Sequence, residues 1–128
     1  VICIANQKGG VGKTTTVINL AASLAAAQKK TMFIDFDPQA NATSGVGVDK
    51  EQVQKSIYDA LIGEADLADI KISIEPESLG GFLYVVPATP ELTGAEVELI
   101  HLENREWKLK QAIEKIAPEF DFILIDCP

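Results

Sequence analysis

Apolar positions follow two rhythms along the chain, one of period two and one of about 3.6, and the switches between them mark its elements. Residues 1–5 are an apolar run of strand character, and a glycine-rich turn over 7–12 follows at once. From 13 to 28, Val17, Leu20, Ala21 and Leu24 recur at i, i+3, i+4 and i+7, which predicts a helix with one buried face. Residues 31–36 predict a second strand, stopped at Asp37-Pro38 because proline cannot continue a central strand. Residues 41–47 are small and polar and predict a loop, and 51–62 predict a helix ended by Gly63. The acidic stretch 64–81 is broken by Pro76 and Gly80-Gly81, and Ile70, Ile72 and Ile74 alternate within it as in a half-buried edge strand. Residues 82–86 predict a strand ending at Pro87, 92–102 and 105–117 predict helices, and 120–125 predict a last strand. In the helix at 105–117, Leu109, Ala112, Ile113 and Ile116 repeat the one-face spacing, and Pro118 ends it.

Strand, helix and strand in rotation argue for an α/β fold with a mostly parallel sheet and helices on both faces. In such sheets ligands bind beyond the carboxyl ends of the strands. Three polar features belong to that edge: the glycine turn after the first strand, Asp35 and Asp37 ending the second, and Asp126 ending the last.

Composition narrows the class further. With 128 residues, 47% hydrophobic and 23% charged, the chain fits one globular domain and excludes disordered, collagen-like and coiled-coil readings. No apolar run reaches the roughly 18 residues needed to cross a bilayer. Cys3 and Cys127 stand too far apart in sequence to suggest a disulfide framework or a metal-ligand spacing, and they read as small buried residues of a chain in a reducing compartment. His101 and Trp107 read as helix-packing or surface residues, and the acidic stretch 64–77 as a solvated face. The net charge of −8 is unevenly spread, because residues 1–36 hold four lysines against one aspartate. No basic stripe fit for a duplex results, so any contact with DNA is expected from residues beyond these. The chain opens and closes on core-strand sequence, and the expectation is that residues 1–128 are the N-terminal part of a single domain.

The segment Gly9-Gly10-Val11-Gly12-Lys13-Thr14-Thr15, between a buried strand and a helix start, sits in the context a phosphate-binding loop requires. Glycines let backbone N–H groups turn toward phosphate oxygens, and the helix N-terminus adds partial positive charge. Lys13 is placed to reach the β- and γ-phosphates, and the Thr14 hydroxyl to ligate Mg2+. The common pattern has glycine six residues before the lysine. Here that residue is Gln7, and a second lysine, Lys8, opens the loop. Asp35 and Asp37, two apart at a strand end, are expected to leave one face and to need a cation or water between them. Asp126, after the apolar residues 122–125, has the Walker B arrangement of a carboxylate at a strand tip facing Mg2+.

Lys8-Gly9-Gly10-Val11-Gly12-Lys13-Thr14-Thr15 resembles the deviant Walker A box of the ParA/MinD group of P-loop ATPases. Residues 34–43 resemble the D-x-D-P-Q-x-N-A-T segment of its ParA (Soj-like) branch, and further similarity lies in Pro87-Ala88-Thr89-Pro90-Glu91-Leu92 with Gly94-Ala95-Glu96, and in Ile125-Asp126-Cys127-Pro128. The resemblance implies a P-loop NTPase that binds ATP and Mg2+ through residues 8–15 and closes as an ATP-dependent homodimer. It implies that Lys8 reaches the phosphates bound to the other subunit, Asp37 orients the attacking water, and Asp35 supports Mg2+ through its water shell. It further implies chromosome or plasmid partition in the cytoplasm, with nonspecific, nucleoid-associating DNA binding through a C-terminal region and stimulation by a ParB-type partner, and no membrane. A MinD-like membrane-associated switch and a nucleotide-gated scaffold remain as alternatives.

Overall fold

The computed structural model describes residues 2–4, 13–37, 39–49, 53–74, 82–89 and 105–126. Among the described residues, five strands form one sheet: β1 (Ile2–Ile4), β2 (Thr31–Asp35), β3 (Ile72–Ser73), β4 (Leu83–Val86) and β5 (Phe122–Asp126). Their order across the sheet is β1-β5-β2-β4-β3, with β1, β5, β2 and β4 mutually parallel and only the short edge strand β3 antiparallel. The central strands are covered on both sides, which is why their sequences read as continuous apolar runs rather than alternations.

One face is closed by helix α1 (Lys13–Ala26), whose fully buried Val17 and Ala21 and nearly buried Ala25 pack with Phe33, Val85 and Leu124. The buried line thus runs i, i+4, i+8 through two alanines that let the helix lie close to the sheet, while Leu20 and Leu24 flank it half-buried. Helices α3 (Ile57–Leu61), α4 (Leu67–Ile70) and α5 (Arg105–Ile116) close the other face. There Met32, Ile34, Val86, Ile123 and Ile125 meet Ile57, Leu61, Leu67, Ile70, Ile113 and Ile116.

Several boundaries differ from expectation, each for a local reason. Helix α1 ends at Ala26 rather than 28, because Gln28 turns left-handed (φ 62°). Its N–H and that of Lys29 then bond back to the carbonyls of Ala25 and Leu24 in a Schellman cap. Residues 41–45, expected in a loop, form the short helix α2 (Asn41–Gly45). It is set by its entry residue Ala40, itself left-handed (φ 57°) and fully buried, and by the side-chain bonds of Thr43. Gly45 lets α2 approach α1, since a Cβ there would lie 2.6 Å from Ile18 Cδ1.

The helix expected over 51–62 begins only at Ile57 among the described residues. Ser56 caps it by accepting from Tyr58 N (3.2 Å), and Asp59 accepts in return from Ser56 N (2.8 Å). Gly63 (φ 82°) follows the helix, as expected. Ile70 ends α4 instead of opening a strand, whereas Ile72 within β3 and Ile74 just past it keep the alternation. The acidic segment therefore also supplies Leu67 and Ile70 to the core. Helix α5 gives way to a 3-10 turn (Ala117–Glu119) holding Pro118, so β5 starts two residues later than expected and includes Asp126. Trp107 is 51% exposed, a surface residue as expected. The helix expected at 92–102, with His101, and the residue Cys127 lie outside the described residues.

Candidate nucleotide site

Parallel pairing sets the strand tips level. Ile4 lies opposite Asp126 on β1 and β5, and Asp126 opposite Asp35 on β5 and β2. Side chains on a strand alternate between faces, so Asp35 and Asp126, two residues beyond Phe33 and Leu124, share the face that α1 covers. Helix α1 follows β1 and begins with Lys13 and Thr14, so its positive N-terminal end belongs to the same carboxyl edge. Two carboxylates, both fully buried, thus stand side by side at the edge where the phosphate-loop sequence joins strand to helix.

Asp35 is held tightly. Its Oδ2 accepts from the Thr43 backbone N–H (2.8 Å) and from the Thr43 hydroxyl (2.6 Å), and its Oδ1 accepts from Asp37 N (3.1 Å). Burial pushes the Asp35 carboxyl above the usual carboxylate range, with a smaller push from the neighbouring charge of Asp126, while the bonds from Thr43 and Asp37 oppose the shift. The ladder extends one step past the strand, where Phe36 N donates to the Asp126 carbonyl (3.0 Å).

Asp37 lies beyond the end of β2, half-buried. Its Oδ1 accepts from Gln39 N (2.9 Å) and its carbonyl from Ala40 N (2.8 Å), so it also shapes the turn into α2. The strand alternation that would put Asp35 and Asp37 on one face stops at Asp35, and the carboxylate brought level with Asp35 is Asp126. Lys13 and Thr14 are the first two residues of α1, and Thr15 is exposed in its first turn. Lys8, Gly9, Gly10, Val11 and Gly12 lie outside the described residues.

Sequence reasoning missed Thr43 as a member of this site. The signal was present as a β-branched hydroxyl residue eight positions after Asp35, but only tertiary contact reveals that it is fully buried beneath the strand tip. Among the described residues no group of three or more His, Cys, Asp or Glu is gathered as a metal centre would need. The pair Asp35 and Asp126 nonetheless fits a divalent cation, because the charge of Asp126 adds to the cost of charging the buried Asp35 and a cation nearby lowers it. Phosphate oxygens, water and the Thr14 hydroxyl would complete such a shell.

A mostly parallel sheet whose first strand is joined to a helix by a lysine-bearing, glycine-rich sequence, with carboxylates at the neighbouring strand tips, defines a P-loop NTPase fold. A protein-family model described as an AAA domain matches residues 1–128. The chain belongs to that family, and its relatives are of the ParA/Soj type. It is 52% identical to the chromosome partitioning protein ParA of Myxococcus xanthus, over all of this chain and 44% of that protein. It is 48% identical to the sporulation initiation inhibitor protein Soj of Bacillus subtilis, over all of this chain and 49% of that one. Cobyrinic acid a,c-diamide synthase from Mycobacterium smegmatis, solved with an ATP analog and magnesium, superposes with a TM-score of 0.91 at 34% identity, over 99% of this chain and 50% of that one. The chain spans about half the length of the curated relatives it matches.

Proposed function

We propose that residues 1–128 are the N-terminal part of a single ParA-type P-loop ATPase domain, which binds ATP with Mg2+, closes as a dimer over two nucleotides and reopens on hydrolysis. The observation that carries this reading is the level, buried pair Asp35 and Asp126 at the edge from which α1 rises with Lys13 and Thr14. In this reading residues 9–15 cradle the phosphates with backbone N–H groups, and Lys13 holds the β- and γ-oxygens. Mg2+, when bound, neutralises phosphate charge; Thr14 and Asp126 would hold it, and Asp35 would support its water shell. Asp37 orients the water that attacks the γ-phosphorus; its backbone is anchored by its N–H on Asp35 Oδ1 and by Ala40 N on its carbonyl, and its carboxylate is steadied by Gln39 N. Lys8 crosses to the partner's nucleotide, where a charge in a water-poor interface acts far more strongly than in bulk water. That crossing links dimer closure to ATP occupancy.

The partition role rests on the Asp-Pro-Gln-x-Asn-Ala-Thr segment and on relatives named as chromosome partitioning proteins. The ATP-bound dimer holds DNA without sequence preference through the remainder of the protein, associates with the nucleoid in the cytoplasm, and is released when a ParB-type partner stimulates hydrolysis. Among the described residues no helix is long and apolar enough to cross a membrane. The test is DNA retention by the full-length protein with ATP, with ADP, and with ATP in a Lys8→Ala variant. Retention with ATP alone, lost in the variant, is expected. Retention on anionic lipid vesicles and none on DNA would replace partition by a MinD-like role.

A further inference from the structure

Beyond the strand tips, a second set of bonds ties the candidate site to the exit of β4, and its centre is one hydroxyl. Thr43 Oγ1 donates to Asp35 Oδ2 (2.6 Å) and accepts from Ala88 N (3.1 Å). The direction of these bonds is forced. A backbone N–H only donates, so the hydroxyl proton must point to Asp35. Thr43 is fully buried, as are Asp35 and Ala88, so neither end of the bridge can turn to water in exchange. The segment that receives the bridge is fixed from its other side as well, because Ile57 N at the start of α3 donates to the Pro87 carbonyl (2.9 Å). Thr89 Oγ1 lies 3.5 Å from the capping hydroxyl of Ser56.

We propose that Thr43 is the positioning residue that locks the turn bearing Asp37 to the segment 87–89, so that Asp37 meets the nucleotide in one geometry. The inference rests on the ATPase reading above. The sequence leading from Asp35 to Thr43 is the turn that carries Asp37, and it is pinned at both ends to the same carboxylate: Asp37 N on Oδ1, Thr43 N and Oγ1 on Oδ2. With the hydroxyl removed, Asp35 keeps two of its three bonds and Ala88 N loses its acceptor. The turn then loses its hydrogen-bonded link to the exit of β4 and keeps only the apolar packing of Ala40 and Ala42 there, while Lys13 and Thr14 at the start of α1 are unchanged. A displacement of this kind costs turnover rather than binding, since small misplacements of a reacting group act on the chemical step.

The experiment uses the full-length protein with Thr43→Val, which keeps the shape and removes the hydroxyl, and Thr43→Ser, which keeps the hydroxyl and removes the methyl. Three quantities are read: affinity for a fluorescent ATP analogue, kcat and KM for ATP, and amide hydrogen exchange at Ala88. For Thr43→Val the expectation is affinity within about threefold of the parent, kcat lower by about ten- to a hundredfold, and faster exchange at Ala88. Thr43→Ser is expected to restore most of kcat and the protection of Ala88. Parental kcat in Thr43→Val, or equal impairment in Thr43→Ser, would overturn the proposal, the second because it assigns the effect to methyl packing. If Thr43→Val fails to fold, Thr43→Ala takes its place under the same criteria. A parent protein that hydrolyses no ATP would overturn the ATPase reading instead. In that case the tie stands if Ala88 protection is lost without the hydroxyl and kept with serine, and falls if protection is unchanged in both.

Discussion

A carboxylate that accepts three hydrogen bonds is usually stabilised in its charged form, yet Asp35 is shifted the other way. Full burial outweighs the bonds, and the charge of Asp126 beside it adds to the shift. The consequence for stability has a definite sign. With its folded value raised, Asp35 binds more proton in the native state than in the unfolded chain over the window between the two values. Native stability from this residue is therefore fully present below the ordinary carboxylate value, about pH 4, and is lost as pH rises through the raised one. An Asp35→Asn variant lacks this titration, although it gives up an acceptor for Asp37 N or Thr43. Its stability relative to the parent, from urea unfolding of the full-length proteins without nucleotide, is expected to improve as pH rises above about 4 and to level off once pH passes the raised value. A difference that is flat or runs the opposite way would mean that Asp35 is not charged against its surroundings.

At the scale of elements, the sequence was most readable where burial is one-sided or complete over several residues. The strands at 31–36 and 82–86 and the helices at 13–28 and 105–117 all occur, each with ends shifted by no more than two residues. The misses share a cause: short elements set by caps and tertiary bonds have too few residues to show a period. Helix α2 has five residues and depends on Ala40 holding a left-handed conformation at its N-cap, which non-glycine residues rarely adopt, and on Thr43, a weak helix former. Helix α3 is as short, and its start was legible in a different signal, the Ser56-Ile57-Tyr58-Asp59 run of a capping box. Ser56→Ala removes the acceptor for Tyr58 N at a site that is almost completely buried. The expected cost is about 1–2 kcal/mol, read as a lower urea midpoint at unchanged slope. A loss below about 0.5 kcal/mol would show that packing of Ile57 and Leu61, rather than the cap, places the helix.

For the whole molecule, the site is a property of strand order that no local reading contains. Asp35 and Asp126 are far apart in the chain and become neighbours only because β5 inserts between β1 and β2. The sequence could place each carboxylate at a strand tip, and its motif resemblance could group them. Their level register, their common face under α1 and the link through Thr43 to β4 required the sheet itself. A nucleotide at this edge would touch the start of α1 and the ends of β1, β5 and β2, so binding is expected to stabilise the sheet as a unit rather than one loop. A ligand that binds only the native state at a hundredfold excess over Kd adds about 2.7 kcal/mol, on the order of 5–10 °C in Tm for a domain of 150–250 residues. The full-length protein is expected to show such a rise with ATP and Mg2+ and a smaller one with ATP and a chelator. Lys13→Ala is expected to show almost none, because in the proposed reading that lysine supplies the charge opposite the β- and γ-phosphates. An undiminished rise in Lys13→Ala would mean that the nucleotide sits elsewhere, and that the two buried aspartates serve the fold alone.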